Sequence, residues 1–149
     1  MSTSIEIRGL DEVDARLQKA IEEFPELRRD AFVEAAKTMS GIVDASIDGS
    51  GLNDSSGKIK GFQQASVGTL GGYAAVRPVK GSGPDSPGAI TRYLDDGHRV
   101  RRPGKTKPRA KMASVPGYGF YESAKAQLPA LAQSIAESIA EKLHDSLEG

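Results

Sequence analysis

The sequence predicts an α+β fold: a small, mainly antiparallel sheet with a long N-terminal helix and a C-terminal helix. Three observations lead there. Apolar residues recur at spacings of three and four near both ends of the chain. Two short runs of strand-like composition lie between them, separated by Gly71-Gly72. There is no βαβ repetition, no internal repeat and no run of long strands.

Ile5-Glu6-Ile7-Arg8 alternates apolar and polar, the period of a short strand, and Gly9 breaks it. Asp11 is the expected N-cap of the first helix. Val13, Leu17, Ala20, Ile21 and Phe24 then form one stripe. Pro25 predicts a kink, or a second helix with Pro25 in its first turn. The stripe resumes through Ala31, Phe32, Ala35, Ala36, Met39, Ile42 and Val43 and ends near Ile47.

Residues 48–58 are rich in Gly, Ser, Asn and Asp, the composition of a mobile loop. Residues 61–70 and 73–79 are the strand candidates, and Gly71-Gly72 is the two-residue hairpin turn. Pro78 belongs at an edge, because it has no N–H for a ladder. A second loop at 80–86 leads to a short helix, with Ser86 as cap and Pro87 as first residue. Ile90, Tyr93 and Leu94 share its apolar face, and Gly97 stops it. Val115 to Phe120 is a turn-rich connector. Pro129 marks a break or a new first turn. Beyond it Leu131, Ile135, Ile139, Leu143 and Leu147 form a seam at spacings of four, widened by Ala132, Ala136 and Ala140.

The chain has 149 residues, enough for one domain with its own core. Cysteine is absent, which excludes disulfides, Cys-based zinc sites and thiol nucleophiles. With 5% aromatic residues and no Trp, the core rests on Leu, Ile, Val and Ala. No apolar run approaches the ~20 residues of a membrane helix. The first residues lack the basic and apolar regions of a signal peptide, so a cytoplasmic site of synthesis is expected.

Net charge is zero, yet charge is segregated. Residues 1–48 carry 11 acids and 6 bases, a balance of −5. Residues 97–111 carry 7 bases and no acids, and residues 112–149 carry 5 acids and 2 bases. Arg99, Arg101, Arg102, Lys105, Lys107, Arg109 and Lys111 make up the basic arm, where Pro103, Gly104 and Pro108 disfavour regular structure. Three readings are open for it: docking on an acidic surface of a neighbouring subunit, gripping nucleic-acid phosphates, or a solvated loop. It lacks the interleaved aromatics of single-strand binders.

Residues that carry chemistry are sparse. His98 and His144 form no ligand pair. Asp95-Asp96 beside His98 has the composition of an acid–base site, but adjacent side chains on a helix point apart, and helix-end capping is the simpler role. Gly68, Gly71 and Gly72 lack the strand–loop–helix context of a phosphate loop.

Three segments carry a family likeness. Ile7-Arg8-Gly9-Leu10-Asp11 leads into a long helix. Ala89-Ile90-Thr91-Arg92-Tyr93-Leu94-Asp95-Asp96-Gly97-His98 is a short helix ending in acid, Gly and His. Val115-Pro116-Gly117-Tyr118-Gly119-Phe120-Tyr121-Glu122-Ser123-Ala124 enters the last helix. In this order they resemble the phage tail-component family of tail-completion and head–tail joining proteins from long-tailed bacteriophages. The family's Thr-Gly-x-Leu segment is matched only loosely, by Ser56-Gly57-Lys58-Ile59. The resemblance implies one tail-completion-like domain over residues 1–149, with flexible loops at about 48–58, 80–86 and 99–114. It implies a non-enzymatic virion protein at the head–tail junction, present in the host cytoplasm during assembly, with no cofactor, metal or membrane. Its implied partners are copies of itself in a six-fold ring, the tail tube protein, and the head connector or head-closure protein. DNA would pass through the lumen. A DNA-binding neck protein using residues 99–111 is the alternative.

Overall fold

The computed structural model describes residues 10–69, 72–99 and 114–148. Among them the fold is α+β, as expected. The first helix, α1 (Leu10–Gly49), has 40 residues and is about 60 Å long at 1.5 Å per residue. The strand expected over Ile5–Arg8 lies outside the described residues. Asp11, expected as the N-cap, is the second residue of α1.

Helix α1 runs continuously through Pro25, so of the two alternatives there, a kink or a new helix, the new helix does not form. Proline removes one backbone hydrogen bond and crowds the preceding turn. Packing carries the helix across that defect, because the buried stripe keeps its phase. Ala20, Ala31 and Ala35 are all buried, at spacings that return to the same face.

The core gathers at the C-terminal end of α1. Val43 and Ile47 meet Ile59, Phe120 and Ala124, with Leu52, Phe62, Val76, Ile90 and Leu94 packed around them. Phe120 and Ile47 are 0% exposed. Burying each such side chain is worth about 1.5–3 kcal/mol.

A short helix, α2 (Lys58–Phe62), replaces the end of the expected loop and the start of the expected strand. Asp54 explains it. Its carboxylate accepts hydrogen bonds from the N–H groups of Ile59 at 3.0 Å and Lys60 at 2.9 Å. Two of the orphan donors at the helix start are thereby satisfied. Gly57 at the cap position has φ 69°, a left-handed conformation that glycine adopts without strain.

Strands β1 (Gln63–Val67) and β2 (Ala74–Pro78) pair antiparallel, with Gln63 opposite Pro78 and Val67 opposite Ala74. A turn centred on Gly71-Gly72 would set Leu70 opposite Tyr73. Instead the Gly68 N–H donates to the Tyr73 carbonyl at 2.9 Å, so the register is shifted from that expectation. Pro78 closes the strand, where its missing N–H does least harm.

Helix α3 (Pro87–Asp96) starts as expected. Ser86 Oγ accepts from the Ala89 N–H at 3.3 Å, and Pro87 is the first residue. Gly97, at φ 80°, ends it. Strand β3 (Gly97–Arg99) follows and pairs antiparallel with β4 (Ser114–Pro116). The sheet is thus two separate two-stranded ladders, not one. Arg99 and Ser114, expected in a loop, are the paired ends of these strands.

Helix α4 (Phe120–Lys125) precedes α5 (Leu128–Glu148), in which Pro129 is the second residue. Helix α5 runs antiparallel along α1. Leu131 and Ile135 share a groove with Ala31 and Ala35, while Ser146 Oγ donates to Glu23 Oε2 at 2.8 Å further along. No residue of α5 is fully buried. One neighbouring helix covers its apolar seam only in part.

Candidate subunit interface

The β3–β4 ladder is fastened to the end of α3 by backbone contacts that exclude side chains. A Cβ on Gly117 would stand 2.0 Å from the Asp95 carbonyl oxygen. One on Gly97 would stand 2.4 Å from the Val115 carbonyl oxygen. The last carbonyls of a helix lack intrahelical partners. Here the Tyr118 N–H donates to the Leu94 carbonyl at 2.8 Å, and the Gly119 N–H to that of Asp95 at 3.0 Å.

The acidic pair divides its work. Asp95 Oδ1 accepts from the Tyr121 N–H at 2.9 Å and so anchors the first turn of α4. Asp96 reaches back to Arg92, 3.8 Å away and exposed. The His98 ring lies 5.6 Å from that of Tyr93, and His144 lies 3.4 Å from Glu148. No group of three or more metal-ligating side chains occurs among the described residues.

A second polar network holds α2, α3 and α4 together. The Gln63 side-chain amide donates to the Thr91 hydroxyl at 3.0 Å and to the Ile59 carbonyl at 3.1 Å. Its oxygen accepts from the Tyr121 hydroxyl at 2.6 Å. Burial, then the nearby Asp95 charge, pushes the Tyr121 phenol up to about 12.

Of the basic arm, Arg99 is described: it is exposed at the end of β3. Arg101, Arg102, Lys105, Lys107, Arg109 and Lys111 lie outside the described residues. The ladder pairs the two residues from which the intervening stretch departs, Arg99 with Ser114. Opposite in sign, Asp14, Glu22, Glu26 and Asp30 are exposed along α1.

An apolar surface accompanies these charges. Val13, Leu17, Ile21 and Phe24 of α1 are 52%, 46%, 65% and 38% exposed. Their spacing reads equally as a core-facing stripe, and the sequence does not say that α5 covers it incompletely.

These features define a class of protein: a helix-rich α+β chain with segregated charge and an apolar face on its longest helix. No family model, curated protein or solved structure matches the chain. No helix among the described residues is long and apolar enough to cross a membrane.

Proposed function

We propose that this chain is a structural virion subunit of the phage head–tail junction, which completes the tail or joins it to the head by forming a homo-oligomeric ring. It does so without catalysis or cofactor. The reading begins from the order of the three tail-completion-like segments. The observation that carries it is the β3–β4 ladder, which holds together the two ends of a stretch with seven bases and no acids. A ring is built by one patch meeting a different patch on the next copy. The basic arm and the acidic flank of α1 supply two such unlike patches on one chain.

In this role the arm crosses to the acidic helix of the next copy, or to the tail tube or head connector. Deleting residues 99–111 is expected to abolish both ring formation and the joining of heads to tails. Negative-stain images of particles lacking the protein are expected to show full heads beside unattached tails. Joined particles in its absence, or rings and joined particles from the deletion variant, would count against this assignment.

The second reading, a DNA-binding neck protein, rests on the same seven bases. It requires DNA affinity that falls steeply with salt, because each neutralised phosphate releases counterions. Subunit docking predicts instead that salt weakens association between copies.

A further inference from the structure

The α1–α5 pair has two unlike flanks. One groove between the helices is polar at its rim, lined by Glu34 and Thr38 of α1 and by Ser134, Ser138 and Lys142 of α5. Counting about 100° per residue from that groove places Leu17 and Ile21 of α1 on the opposite flank, beside Phe24 in the seam. The same count places Ala136, Ala140 and Leu147 of α5 on that flank. All six are exposed. The flank therefore carries large side chains on one helix and mostly small ones on the other.

We infer that this flank is a pairing surface for a second copy of the same chain, with α1 of each copy seated on α5 of the other. The two halves are complementary and lie at matching heights. Glu23 touches Ser146, and Ala31 shares a groove with Ile135, so Ile21 and Phe24 stand level with the last two turns of α5. A two-fold axis parallel to the helices sets Ile21 of one copy across from Leu147 of the other, with Phe24 and then Ala140 further along the same face. Every neighbouring pair of helices is then antiparallel, the arrangement of an up-down-up-down four-helix bundle.

The area suffices. Helix α5 has 21 residues and spans about 30 Å. Two helices side by side are about 20 Å wide. Each copy thus covers about 600 Å², about 1,200 Å² in total, at the lower bound of stable specific interfaces. The contact is isologous and needs only the fold, so it stands apart from the head–tail reading.

Light scattering of the full chain after size exclusion tests it, using the wild type, Ile21→Asp and Leu147→Lys. Both changes are at exposed positions, so helical circular dichroism and melting temperature are expected to hold. The wild type is expected at two copies or a multiple of two, and each variant at half the wild-type mass. An equimolar mixture of the variants is expected to regain the wild-type mass, because aspartate on one copy then faces lysine on the other. A one-copy wild type at every soluble concentration, or variants that keep the wild-type mass, would overturn the pairing. A ring that both variants leave intact sinks the pairing and spares the head–tail reading. A two-copy species that never forms rings does the reverse.

Discussion

Tyr121 donates its hydroxyl hydrogen to Gln63 Oε1 at 2.6 Å, joining the first turn of α4 to the first residue of β1. Removing that hydroxyl leaves a part-buried amide oxygen without its donor, which costs about 1–3 kcal/mol. Tyr121→Phe is therefore expected to lower stability by about that much in urea denaturation at neutral pH. The phenol also sets an alkaline limit. Its folded value is raised from 10.0 to about 12, so above pH 10 the unfolded chain ionises first. Stability from this group is complete below pH 10 and is lost as pH rises toward and through about 12. The variant is expected to lack that alkaline loss. Parallel pH profiles for the two proteins would contradict the assignment.

Gly117 and Gly41 make an opposed pair of tests. A methyl group at Gly117 would collide with the Asp95 carbonyl, which is backbone and has little room to yield. Gly117→Ala is expected to destabilise by at least about 2 kcal/mol and to loosen the β3–β4 ladder. At Gly41, inside α1, a Cβ meets nothing within 4 Å. Gly41→Ala is expected to raise stability by about 0.5–1 kcal/mol. Thermal melts of the two variants should move in opposite directions.

Asp54 and Asp44 respond to pH with opposite signs. Desolvation pushes the Asp54 carboxyl up, but the Ile59 and Lys60 N–H donors and the Lys60 charge outweigh it, and the net value falls below 3.8. Its contribution is present above pH 3.8 and is lost as pH falls through the lower folded value. Asp54→Asn keeps one acceptor oxygen but loses the second and the charge, and is expected to cost about 1 kcal/mol at neutral pH and much less in acid. Burial, against the attraction of Lys60 and with the repulsion of Asp48 and Asp54, raises Asp44 above 3.8. Its ionised form opposes folding at neutral pH, so Asp44→Asn is expected to be neutral or stabilising there. Stability measured across the acid range checks both signs.

Ser46 is buried on α1, and among the described residues its hydroxyl has no hydrogen-bond partner. Replacing an orphaned hydroxyl with hydrogen removes a desolvation cost and favours the helix. Ser46→Ala is expected to stabilise the protein by about 1 kcal/mol. A loss of stability in urea titration would mean that the hydroxyl is satisfied in solution.

Much of the architecture is legible in the sequence because it depends on local signals. Ser86-Pro87 and Gly97 delimit α3 through a side-chain cap, a fixed φ and a positive φ, all properties of single residues. Pro129 marks the first turn of α5 for the same reason. Other elements depend on contacts between residues rather than on single-residue signals. The passage of α1 through Pro25 needs the packing of Ala20 and Ala31. Helix α2 needs a carboxylate several residues upstream, at Asp54. The β1–β2 register follows the Gly68–Tyr73 hydrogen bond, not the Gly-Gly dipeptide. At the candidate interface the cations are plain in the sequence, whereas the ladder beside them is not. Three-residue strands carry almost no periodicity, and the reason for Gly117 is a carbonyl more than twenty positions away.

The Arg99–Ser114 pairing has a consequence for tolerance to change. Where the two ends of a chain segment are already fixed side by side, the entropy of closing it grows only with the logarithm of its length. Doubling the stretch between them costs about 0.6 kcal/mol. This makes the stretch a natural graft point, where an epitope or fluorophore-binding peptide can be spliced in while the helices and the Phe120 core fold as before.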